Sequence, residues 1–334
     1  MKTRAFFKLT VICALASGIL AACSSTEGKK ANLPSISGKV GEIGVIASKA
    51  QWEAEPGSAL RSVLAAEYPY LPQREPYYRL FNVPEESFNK VFRVHRNLLR
   101  LIINDTCSTS MTLHRDIWAA PQTMLTIMAP DDYTASEYIT AHTKEIRNVF
   151  ENAERDRIIS NAITFQNASL VKVVGSAFGG SPYIPKDFSL KKQTPGFYWI
   201  SNETTFTNQG IFIYKFPYRD ESQFTANYLI AKRDEVMQIN VPATTEGSYM
   251  ITNPSITPGF EWKTIGDRRC AEIRSLWDTH NDFMGGPFIS DAFLSKDGRE
   301  IIVIEGFVYA PSKDKRDLLR NLQSIIYSWH WTEE

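Results

Sequence analysis

Metal and redox chemistry have little to stand on in this sequence. Four cysteines occur in 334 residues, at 13, 23, 107 and 270, and none falls in a Cys-x-x-Cys pair. The histidines at 95, 114, 142, 280 and 330 are scattered and include no His-Glu-x-x-His, so no ligand set at helical spacing suggests zinc. No cofactor is implied. There is no P-loop and no Gly-x-Gly-x-x-Gly after a strand, which leaves nucleotide binding without a foothold. Gly-x-Ser-x-Gly is also missing, and the nearest approach, Phe178-Gly179-Gly180-Ser181-Pro182, reads as a turn before an extended segment. Lys and Arg number 37, as do Asp and Glu. Lys29-Lys30 and Lys191-Lys192 are short basic pairs in a tether and a loop, not a stripe, so nucleic acid is not an expected partner.

What is present begins at the N-terminus. Lys2, Arg4 and Lys8 precede an apolar run from Leu9 to Ala16, and Leu20-Ala21-Ala22-Cys23 follows. That order of basic, apolar and small residues is an export signal, and the run is too short for a membrane span. Leu-Ala-Ala-Cys resembles the bacterial lipobox, which implies loss of residues 1–22 and acylation of Cys23, a durable membrane anchor. Residues 23–40 are small, polar and Gly/Pro-punctuated, a flexible tether with a reach of roughly 20 Å. Ser24 stands where some lipoproteins carry the aspartate that holds them at the inner membrane, and Glu27 is the single early acid. The expected address is therefore the periplasmic face of the outer membrane. The expected partners are the membrane, through the lipid, and a periplasmic peptide, glycan or protein. Loss of the signal leaves 34 basic against 37 acidic residues, a weak charge that selects no partner. It also leaves Cys107 and Cys270, which in an oxidising compartment either pair as a disulfide or stay apart as thiols.

The rest of the chain reads as two halves. In the first, 41–165, strands are expected at 42–48, 77–83, 97–103 and 124–130, with helices at 57–68 and 134–163; Leu60, Val63 and Leu64 fit the helical period. In the second, 210–334, strands are expected at 210–217, 248–253, 260–266 and 300–311, with helices at 220–237 and 313–329. Residues 166–209 form a connector with an extra strand at Phe197–Ile200. Ile43 matches Ile211 at an offset of 168 and Met124 matches Ile301 at 177, and Pro130, Pro217 and Pro311 each stand between a strand and a helix. Internal duplication explains the recurrence, as does convergence on one strand-to-helix punctuation. The expected fold class is α+β: two similar β-α-β-β-β-α halves with mostly antiparallel sheets and helices on one face.

The most unusual stretch is Trp277–Phe288. Met284, Gly285, Gly286, Pro287 and Phe288 read as a loop that approaches a ligand or another backbone closely, with a glycine at positive φ. Asp278 and Asp282 flank His280, the least poor acid/base set for a hydrolase acting on envelope peptide or glycan. The favoured reading is a non-catalytic binding or scaffolding module.

Four pieces together, Leu71–Pro76 (LPQREP), His95–Ile102 (HRNLLRLI), Arg274–Phe288 (RSLWDTHNDFMGGPF) and Val308–Arg316 (VYAPSKDKR), resemble Bacteroidota envelope lipoproteins that form a domain family of unknown function. The resemblance runs from about Gly38 to Trp329. It departs from the family pattern at Ser275, where a glycine often precedes Leu-Trp, and at Cys270, which is not a family hallmark; a disulfide is therefore not expected as a family feature. The resemblance implies an envelope lipoprotein and carries no activity.

Overall fold

The computed structural model describes residues 33–332. Its first half runs β1 (Glu42–Ile46), α1 (Lys49–Glu53), α2 (Glu55–Leu64), β2 (Arg79–Val83), α3 (Lys90–Arg93), β3 (Asn97–Ile103), β4 (Ser110–Arg115), β5 (Thr123–Ala129), α4 (Asp132–Ala141) and α5 (Thr143–Thr164). The chain continues through α6 (Ala168–Phe178), β6 (Gly180–Ser181), β7 (Ser189–Thr194), β8 (Phe197–Glu203), β9 (Asn208–Pro217) and α7 (Ala226–Asn240). It ends with β10 (Tyr249–Thr252), β11 (Gly259–Ile265), β12 (Arg268–His280), β13 (Gly285–Leu294), β14 (Glu300–Tyr309), α8 (Arg316–Tyr327) and β15 (His330–Trp331). The mixture of helix and mostly antiparallel sheet is the expected α+β class.

The internal duplication does not hold. The first sheet has the order β2-β1-β3-β5-β4, with β1 parallel to β2 and β3, β3 parallel to β5, and only β4 antiparallel. The second has the order β10-β12-β13-β14-β9-β8-β7, with β11 also on β12, and every pair is antiparallel. Ile43 thus lies between parallel neighbours and Ile211 between antiparallel ones. The cause is in the connections. Helix α2 carries the chain from the end of β1 back to its start, so β2 must run parallel. In the second half tight turns dominate: Pro195-Gly196 joins β7 to β8 and Gly266-Asp267 joins β11 to β12, with Gly196 and Gly266 at φ +77° and +62°.

Helices cover one face of the first sheet, where Ile43, Val45, Leu99 and Ile127 meet Leu60 and Leu64 of α2, Ile139 of α4 and Phe150 of α5. The second sheet is covered on both faces, against expectation. Along β9, Ile211 and Ile213 point to α8 and pack with Leu322, Ile325 and Ile326, while Phe212 and Tyr214 point the other way to Leu229 and Met237 of α7. A strand alternating two sets of large apolar residues has no solvent face, so each side needs a layer. The helix expected over 134–163 breaks at His142, whose Nδ1 lies 2.8 Å from the Tyr138 carbonyl, and α5 starts afresh there. Ser35 and Ser37, inside the expected tether, bridge to Ala120 and His95.

The halves form one compact unit, Ser35–Glu334. Two of the pieces that carry the family resemblance latch them together. Glu75, buried, accepts the backbone N–H groups of Lys315 at 2.6 Å and Arg316 at 3.0 Å, placing a carboxylate on the unpaired amides that open α8. Gln73 accepts from Lys315 Nζ at 2.8 Å, and Arg316 donates to the Pro76 carbonyl at 2.8 Å. Arg320, one turn on, donates to the Tyr77 carbonyl and forms a part-buried ion pair with Glu151 of α5 at 2.8 Å. The segment 71–76 is thus a clasp across the fold, which neither half could make alone.

Candidate functional site

Between the clasped halves lies a cleft of about 610 Å³, within the ~300–1,000 Å³ usual for ligand sites. One wall is α5, whose Lys144, Arg147, Glu151 and Arg155 recur at three- and four-residue steps and so share a face. The floor comes from the paired strands β11 and β12, which bring up Lys263, Glu272 and Arg274. The segment Tyr68–Tyr70 closes one end. Tyr70 sits at φ +58°, a strained conformation for a non-glycine residue, and its hydroxyl lies so close over Gly259 that a Cβ there would come within 2.5 Å of it.

The floor is an ionic network. Glu272, 2 % exposed, accepts from Lys263 Nζ at 2.6 Å, Arg274 Nε at 2.8 Å and the Tyr327 hydroxyl. Burial alone pushes this carboxyl up, but Arg274 and Lys263 outweigh it and hold it below the usual carboxylate range. Arg274 also donates to the Tyr68 hydroxyl at 3.2 Å. Directly behind, across the β12–β13 ladder from Glu272, lies Asp291. It is 0 % exposed and neither carboxyl oxygen has a hydrogen-bond partner. Burial first, and the charge of Glu272 second, push it up to about 8, so near neutral pH it is a protonated acid beside an ionised one.

On the α5 wall the charge is unbalanced. Glu151 is matched by Arg320 from beneath. Arg147 stacks over the Tyr77 ring at 4.1 Å and Arg155 over the Tyr327 ring at 4.5 Å. Among the described residues neither has a carboxylate within ion-pair distance, and neither does Lys144. Arg147 donates to the Val63 carbonyl at 2.8 Å, while its Nε is buried without an acceptor.

The sites expected from sequence lie elsewhere. Cys23 falls outside the described residues. Met284 ends the turn, but Gly285 to Phe288 do not form a loop: Gly285 opens β13 opposite Asp278, Gly286 pairs with Trp277, and neither glycine has positive φ, which the turn places at Asn281 instead. The need for glycine is one of space. A Cβ on Gly286 would meet the Val308 carbonyl oxygen at 2.0 Å, because the Trp277 indole crosses there to donate to that oxygen at 3.1 Å. Phe288 is fully buried under the Arg233 guanidinium, 4.0 Å from its ring centroid. Asp278 accepts from Asn253, Asp282 from Thr245, and His280 lies against Tyr249; among the described residues no hydrogen bond or ion pair joins His280 to either aspartate. Cys107 and Cys270 are separate free thiols, the first in the turn after β3 and the second buried in β12. No group of three or more His, Cys, Asp and Glu among the described residues is placed to hold a metal ion.

Comparison with known proteins divides the chain just after α5. Residues 167–328 match the domain of unknown function DUF4837. Residues 36–162 match a second domain of unknown function, DUF8532. The DUF8532 region supplies the α5 wall and Tyr68–Tyr70, and the DUF4837 region supplies the β11–β12 floor. No curated protein matches the chain. A solved structure from Bacteroides thetaiotaomicron VPI-5482 is similar at 11 % identity and a TM-score of 0.27, over 47 % of this chain and 46 % of its own, so the match spans less than half of that protein; at that score the likeness carries no argument. No helix among the described residues is long and apolar enough to cross a membrane.

Proposed function

We propose that this chain is an envelope lipoprotein, held through acylated Cys23 at the periplasmic face of the outer membrane, whose folded unit binds a ligand in the cleft between its halves without transforming it. The observation that carries the non-catalytic reading is the state of the acids. Glu272 is tied to Lys263 and Arg274, Glu151 to Arg320, and Glu261 lies 3.6 Å from Lys263. A general base needs a lone pair free to take a proton from substrate, and a general acid must reach it. Against the upward push of burial, Arg274 and Lys263 beside Glu272, and Arg320 beside Glu151, hold these two carboxyls below the usual carboxylate range, and the protonated Asp291 is sealed behind the floor. The lipobox-like Leu20–Cys23 supports the anchor.

The test uses the whole protein, extracted with its anchor. Wild type and Asn148→Trp, which places a large ring on the exposed cleft side of α5, are compared for retention of soluble envelope components identified by mass spectrometry. Components held by wild type, released by the tryptophan and recovered chemically intact are expected. Equal retention by both proteins would remove the cleft from the account, and recovery of cleaved products would replace binding with hydrolysis. In parallel, Cys23→Ser is expected to move the protein from the membrane to the soluble fraction; unchanged membrane recovery would sink the anchor.

A further inference from the structure

The cleft's lining is chemically one-sided. Of its sixteen residues none is Ala, Val, Leu, Ile or Met. The apolar surface it offers is ring surface, from Tyr68, Tyr70, Tyr77 and Phe260, and Phe260 is exposed at 37 %. Apart from Pro69 and Gly259, the remaining side chains hydrogen-bond or carry charge, and the uncompensated charge is positive and confined to α5.

The placement of that charge restricts the ligand further. Arg147 and Arg155 are eight residues apart on one helix, about 12 Å along its axis, and Lys144 extends the row by three residues more. One small anion cannot touch both ends. Each guanidinium carbon lies over a tyrosine ring, which restricts the side chain, and the N–H groups not given to the Val63 carbonyl by Arg147 or to Asn152 by Arg155 remain for the oxygens of a carboxylate. A peptide with aliphatic side chains would need apolar pockets to receive them, and the lining has none. Sugar rings need flat aromatic surface for their C–H faces and amides or carboxylates for their hydroxyls, which Phe260, Asn148, Gln323 and Glu261 offer.

We propose that the cleft takes an acidic oligosaccharide, a short run of sugar rings whose repeated carboxylates bind along the Lys144–Arg147–Arg155 row; this rests on the reading that the cleft is the binding site. Rings lie toward Phe260 and Tyr70, and the ionic floor of Lys263, Glu272 and Arg274 fixes the depth to which they enter.

The experiment is calorimetric titration of the intact, detergent-solubilised protein with three probes: oligogalacturonate, an uncharged oligosaccharide of equal length, and oligoglutamate. Each is repeated with Lys144→Gln/Arg155→Gln and with Asn148→Trp, and thermal melts confirm that the variants are folded. Oligogalacturonate is expected to bind, to weaken at high salt, to lose about tenfold or more in affinity in the double variant, as the loss of charge-assisted contacts implies, and to be lost with Asn148→Trp. If the uncharged sugar binds as well, or oligoglutamate binds better, and Asn148→Trp still abolishes binding, the acidic-sugar inference falls while the cleft stands. Binding that ignores Asn148→Trp overturns both. No binding by any probe overturns the inference.

Discussion

At pH 7 the Asp291 carboxyl is protonated in the folded chain and ionised in the unfolded one, because burial and the Glu272 charge raise it from 3.8 to about 8. The folded state thus binds a proton that the unfolded state has released, and the contribution of this group to stability falls as pH rises from about 4 to about 8. At about 1.4 kcal/mol for each pH step, the cost is on the order of 1.5 kcal/mol at pH 5, 4 kcal/mol at pH 7 and 6 kcal/mol above pH 8. Asp291→Asn keeps the shape and removes the titration, at a pH-independent cost of ~1–3 kcal/mol for burying amide donors with no acceptor. The two terms cross: the variant should be near-neutral or slightly destabilised at pH 5, more stable than wild type by about 2 kcal/mol at pH 7, and further ahead at pH 8.5. Urea unfolding of both proteins across that range reads the difference, since titrating groups away from Asp291 and its neighbour Glu272 cancel to first order. A difference independent of pH would show that Asp291 is ionised in the fold and that the account of the cleft floor is wrong.

Gly286→Ala should lose about 1–3 kcal/mol in denaturant unfolding, because its Cβ has no room beside the Val308 carbonyl. Gly285→Ala, whose nearest contact would be the Trp277 carbonyl at 3.0 Å, should cost clearly less; equal losses would refute a purely spatial need at Gly286. Thiol labelling of the native protein, read by peptide mapping, should modify Cys107 and spare Cys270, which is 0 % exposed and whose thiol burial pushes up to about 12. Native labelling at Cys270 would mean that the core around β12 opens.

Local elements were legible in the sequence because local physics makes them. Helix α8 follows from its apolar period, β3 from the leucines and isoleucines of 97–103, and β8 from Phe197-Tyr198-Trp199-Ile200. Strand order was not legible, because apolar strands of a parallel sheet and of an antiparallel sheet covered on both faces read alike. The stretch 277–288 misled for a physical reason. Glycine and proline there serve the passage of an indole and the start of a strand, and composition cannot distinguish that from a ligand loop. The cleft was hidden by distance along the chain: Arg274 reaches Tyr68 across 206 positions, and Glu75 reaches Arg316 across 241. One signal was available. Lys144, Arg147, Glu151 and Arg155 form a polar stripe on a helix whose other faces bury Ile146 and Phe150, and a stripe rich in arginine marks a surface with a partner as readily as one facing water.

The clasp made by Gln73 and Glu75 has an implication for how such chains arise. A cleft whose walls come from two different domain types is a property of their junction, and duplication or loss of either domain alone would give a protein with a wall and no site. Joining both on one chain fixes their ratio at one to one and makes the second wall available at a local concentration no separate partner could match. Only four residues, 163–166, separate the two matched regions, little more than one helical turn. A linker that short permits few relative placements, so selection on the clasp and selection on the cleft act on the same handful of contacts. If the cleft binds as proposed, substitutions at Glu75 or Arg320, whose buried contacts tie the halves together, would act on fold and binding at once.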